Sequence, residues 1–113
     1  MMMIPLTNGS EITSEVVKNY FKILVNLFFK ILPMREAGEA SLATYLQSLQ
    51  CELVGCKELI STLDNDSRFM TLIAILEFLI KNPTCELYVV RREVFRAISI
   101  CNKLQAKYAD EVV

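Results

Sequence analysis

Apolar residues recur along this chain with helical spacing in four long stretches, separated by Pro, Gly and Asn/Asp-rich breaks. The densest stretch is Phe69–Lys81, FMTLIAILEFLIK, in which only Glu77 and Lys81 are charged. A helix that is apolar nearly all round is either buried or membrane-spanning. This one is too short to span a bilayer, which takes ~20 residues. It is expected as the central helix of a small bundle, over about residues 67–82, with Ser67 as N-cap and Asn82-Pro83 as its stop.

The first helix is expected over about residues 14–32, with Thr13 as N-cap, Glu15 in the first turn and Pro33 ending it. Lys18, Lys22, Asn26 and Lys30 follow an i, i+4 series with Asn19 beside them, filling a polar sector of roughly 120°. Nearly all the rest is apolar, about twice the ~100° stripe that an amphipathic helix needs to face one core. The excess points to a second buried face, a subunit interface formed by Tyr20, Phe21, Leu24, Phe28 and Ile31. The lysines and asparagines argue against a membrane span, whereas a helix lying in the plane of a membrane competes with the interface reading.

The second helix is expected over about residues 40–63, where Leu42, Leu46, Leu49, Leu53, Cys56, Ile60 and Leu63 alternate steps of four and three. Gly55 lies inside it, and Cys51 lies opposite the seam. The connection 34–41, containing Gly38, has room for a short extra helix. Asp64-Asn65-Asp66-Ser67 is a turn that should make the second and third helices antiparallel neighbours. The last helix is expected over about residues 85–108, capped by Thr84, with a core stripe of Leu87, Val90, Val94, Ala97, Cys101, Leu104 and Tyr108, widened by Phe95 and Ile98. Residues 1–12, with Pro5, Asn8, Gly9 and Ser10, are read as an irregular segment. The fold class is thus all-α: one domain over 1–113, an antiparallel up-and-down four-helix bundle.

Composition narrows the chemistry. The 113 residues are 53% hydrophobic and include no His and no Trp. Without His, imidazole acid–base catalysis, Ser-His or Cys-His nucleophile pairs and His-ligated zinc are excluded. The four cysteines show no CxxC spacing, and the start Met1–Leu6 lacks the pattern of a secretory leader. Reduced thiols in a cytoplasmic protein, with no metal and no cofactor, are expected. Glu77 is the one carboxylate set in an apolar helix, but no second carboxylate is spaced to form a hydrolytic pair with it. The 64–67 turn lacks the Gly and distal Glu of a calcium loop.

The net charge of −1 provides no global attraction for nucleic acid. Locally, Arg92, Arg96, Lys103 and Lys107 fall within roughly 80° of one another on the last helix, opposite its core stripe. Two functions follow as expectations. The first is a non-catalytic interaction protein of the adaptor, small-subunit or inhibitor kind, self-associating as a homodimer through the first helix. The alternative is binding of nucleic acid or a small phosphorylated ligand along the basic ridge.

Overall fold

Helix α1 (Ser14–Phe29) begins where the sequence places it, with Thr13 in extended geometry and its Oγ1 accepting the Val16 N–H at 3.2 Å. The computed structural model describes residues 3–110, which are mostly helical and all-α in class. Helix α1 does not run on to Leu32. The helix is interrupted at Lys30, and a short α2 (Ile31–Glu36) carries Pro33 in its own first turn. The cause is local: Pro33 has no N–H to offer the Phe29 carbonyl four residues back, and its ring crowds that oxygen. In the first turn of a new helix the missing N–H costs nothing. Gly38, at φ +65, then closes α2 with paired bonds from Gly38 N–H to Arg35 O and from Glu39 N–H to Met34 O. This is the Schellman geometry, which favours glycine at that position.

Helix α3 (Leu42–Leu59) buries Leu46, Leu49 and Leu53, as the heptad spacing implies, but it does not continue to Leu63. Ile60 is extended, and α4 (Ser61–Asp64) resumes the turn. The break is imposed from the N-terminus. Residues expected to be irregular form a hairpin of β1 (Met3–Pro5) and β2 (Glu11–Thr13), paired Met3 to Thr13, Ile4 to Ile12 and Pro5 to Glu11. Its tip uses Gly9 at φ +89 and an Asn8 Oδ1 bond to the Ser10 N–H. The hairpin then claims the α3 end: Leu6 bridges Ile60, the Thr7 N–H donates to Leu59 O at 2.8 Å, and Ser61 Oγ donates to Pro5 O. Ile4 is fully buried, which anchors the whole segment.

Helix α5 (Ser67–Lys81) is capped by Asp66, not Ser67: the Asp66 Oδ1 accepts the Arg68 and Phe69 N–H groups at 2.9 and 3.2 Å. It buries Phe69, Leu72, Ile75, Leu76 and Leu79. Met70, Ala74 and Glu77 face solvent, so the helix is less enclosed than its composition suggests. Helix α6 (Leu87–Asp110) starts later than expected, with Glu86 O accepting the first N–H groups, so Thr84 is not its cap. Its buried residues from Val90 to Tyr108 follow the expected stripe.

Helices α1 and α6 run in opposite directions, because Phe29 meets Phe95 at 5.9 Å while Phe21 stacks on Tyr108 at 5.9 Å. Phe21 also meets Phe69 of α5 edge-on at 6.1 Å, and α5 packs in turn on α3. The Tyr108 hydroxyl lies 2.9 Å from Thr62 Oγ1, closing the far end.

Two stability measurements check these departures. Ile4→Ala is expected to cost about 2–5 kcal/mol in denaturant unfolding, the cost of truncating a filled core position. A loose N-terminal segment would lose under about 0.5 kcal/mol. Gly55→Ala is expected to stabilise by about 0.5–1 kcal/mol, since a Cβ there meets nothing within 4 Å.

Candidate functional site

The residues expected at an interface lie almost wholly inside the chain. Phe21, Leu24, Phe28 and Ile31 are buried in its own core, and only Tyr20 reaches the surface in part. The wide apolar arc of α1 is consumed by several neighbours at once: α6 along its length, α5 at Phe21, and α3 on its other flank. What remains outside is a narrower edge. Val16 and Ile23 are 53% and 55% exposed, and with half-buried Tyr20 and Leu27 they repeat at steps of four, three and four. That spacing sets all four along one line of α1. It was readable in the sequence, but nothing there separated this edge from the core face beside it.

This edge borders α3 across a seam bridged by polar groups. The Tyr45 hydroxyl donates to Leu27 O at 2.6 Å, and Cys56 Sγ donates to the Tyr20 hydroxyl at 3.3 Å. Burial, above all, raises the pKa of Tyr20 and of Tyr45, and the Glu52 carboxylate nearby pushes both the same way. Burial also outweighs the Tyr20 bond and raises the Cys56 thiol. Both partners in the Cys56–Tyr20 bond therefore stay protonated and neutral near pH 7, which suits a structural contact and not a nucleophile.

Beyond the edge, Lys22 and Lys30 are exposed on α1, and Glu52 and Glu58 are exposed on α3. Among the described residues none of these four takes part in an ion pair. On the opposite flank of α1, Phe29 and Phe95 are each half exposed and touch edge to face.

The basic ridge of α6 is exposed as expected, but most of it is already answered. Arg92 and Arg96 each reach Glu93 at 3.5 Å, and the Glu93 side chain is only 12% exposed between them. Lys107 pairs with Asp66 at 3.2 Å, at the capped start of α5. Among the described residues Lys103 alone of the four lacks a carboxylate partner. The ridge is thus two local ion-pair groups and one lysine, a weaker phosphate cradle than four free cations. Glu77 is exposed and pairs with Lys81 at 3.0 Å, so it has no burial to make it an acid or base.

Among the described residues no group of His, Cys, Asp or Glu is placed to hold a metal ion. No helix among them is long and apolar enough to cross a membrane. All four cysteines are free; Cys51 is exposed and Cys101 is buried, where burial pushes its thiol from 9.0 to about 12. No family model, curated protein or solved structure matches the chain.

Thiol chemistry gives a direct check on this packing. With a disulfide reagent near pH 8, Cys51 should react fast and Cys101 only on unfolding. Between pH 9 and about 12 the unfolded chain loses the Cys101 proton while the folded chain keeps it, so native stability should fall as pH rises. Cys101→Ala should remove the part of that slope due to this thiol.

Proposed function

We propose that the protein is a non-catalytic helical interaction module that pairs with a second copy of itself along the Val16–Leu27 edge of α1 and the adjoining face of α3. The observation that carries this reading is the exposure of Val16 and Ile23, both over half, on one heptad-spaced line. Exposed apolar residues set in a row are costly in water unless something covers them.

Charge supports a second copy as the occupant. Lys30 borders the edge on α1 and Glu52 borders it on α3, and among the described residues neither takes part in an ion pair. A two-fold face-to-face pairing sets Lys30 of one protomer toward Glu52 of the other, the self-complementarity that an isologous interface requires. Gly55, exposed in mid-helix with open space beside it, lets a neighbouring backbone come close. In this reading the four long helices act as an antiparallel up-and-down scaffold. A cytoplasmic setting suits its four free thiols. Adaptors, small subunits and inhibitors are all proteins of this non-enzymatic kind.

Light scattering over a concentration series tests it. The wild-type chain should reach a dimer by ~100 μM, a micromolar affinity being ordinary for a small interface. Val16→Glu with Ile23→Glu should give a folded monomer with an unchanged helical spectrum. A wild-type monomer across the series would overturn the reading.

A further inference from the structure

A second feature lies at the end of the molecule where α2, the start of α3, the end of α5 and the α5–α6 connection meet. There a cleft of about 490 Å³ opens between these elements. The volume falls within the range of small-molecule sites. Its floor is aliphatic: Ile31, Leu46, Leu79 and Val90 are buried, with Leu42 and Ile80 half-buried above them. No aromatic side chain lines it, so nothing is offered for stacking a nucleobase or ring.

Arg35 stands at the wall of this cleft, half-buried, and among the described residues it has no carboxylate partner. Arg91, Arg92 and Arg96 are all more exposed than that, and all three are paired. A guanidinium drawn out of water ordinarily takes an anion with it. Arg35 spends one Nη2 donor on the Cys85 carbonyl, which fixes its position, and a guanidinium carries five donors. The free donors make a planar fork of the shape that takes a carboxylate in two parallel bonds.

We propose that the cleft is a binding site for a linear aliphatic monocarboxylate, a medium-chain acyl acid, with its carboxylate on Arg35 and its chain along the aliphatic floor. Charge selects the head group. Among the described residues Arg35 is the one cation lining the cleft, and Glu39 lines it too, so a phosphate dianion is repelled more strongly than a single negative charge. The aliphatic lining selects the tail.

The test uses the full chain and decanoate, followed by calorimetry and by amide chemical shifts. Saturable one-to-one binding is expected, with Kd falling about two- to fourfold for each CH₂ added from hexanoate to decanoate. Arg35→Gln should weaken decanoate binding roughly tenfold to a hundredfold, the value of a charge-assisted bond, while hardly changing the binding of 1-decanol. Because Arg35 also holds the Cys85 carbonyl, a second variant guards against a folding defect. Ala43→Phe, at an exposed position on the cleft wall, should abolish decanoate binding and leave the helical spectrum and unfolding midpoint intact. Equal affinity for decanoate, 1-decanol and decylamine would overturn the proposal, as would no saturable binding up to ~1 mM. Unaltered binding by Ala43→Phe would overturn it too, by placing the ligand elsewhere.

Discussion

Phe21 is where the structure is tied together. Its ring stacks on Tyr108, meets Phe69 edge-on and touches Tyr20 beside it, so one side chain joins the first, central and last helices. Aromatic pairs in these geometries add about 0.5–1.5 kcal/mol each beyond the area they bury. Tyr108 extends the link, since its hydroxyl meets Thr62 and so binds the end of α6 to the α4–α5 corner. With that junction set, α6 must lie along α1, and the two share one long apolar contact. The interior that remains is filled by α5, with α3 outside it.

Two interruptions follow from how the chain reaches that junction. The helix is interrupted at Lys30 between α1 and α2, and the Gly38 closure ends α2 before the chain enters α3. The aliphatic cleft lies between α2, with Arg35, the start of α3 and the end of α5. At the opposite end, Ile60 leaves the helix to pair with Leu6, and the buried Ile4 seals the bottom of the core. The Leu59 carbonyl accepts from the Thr7 N–H of the hairpin, while the Ile60 N–H keeps its helical bond to Cys56 O.

Charge is distributed unevenly over this frame. The cations of α6 mostly have acidic partners at hand, Glu93 and Asp66, both nearly covered. Those of α1 and the guanidinium of Arg35 have none among the described residues. Unanswered charge therefore lies beside the exposed edge of α1 and in the cleft, whereas on the ridge that is most conspicuous in the sequence three of the four cations are paired.

The sequence by itself determined that the chain is helical, where Thr13 caps α1, and most of the residues of α3 and α6 that turn inward. These features are local: a cap bonds within one turn, and a 3.6-residue period is readable from spacing alone. It also carried Asn8-Gly9, a hairpin tip that reads as part of an irregular segment because Pro5, Asn8, Gly9 and Ser10 are all turn formers and the strands beside them are only three residues long. Tertiary structure decided the rest. Whether Phe21 or Ile23 meets water depends on how many neighbours α1 has, and periodicity does not count neighbours. Whether Arg92 is free depends on Glu93 being held nearly buried against it. The unpaired state of Arg35 and the space beside it depend on where the chain turns after Lys30. Arg92 and Glu93 are sequence neighbours, but the burial of Glu93, the cover over Phe21 and the space beside Arg35 all come from residues far apart in sequence that packing alone brings together.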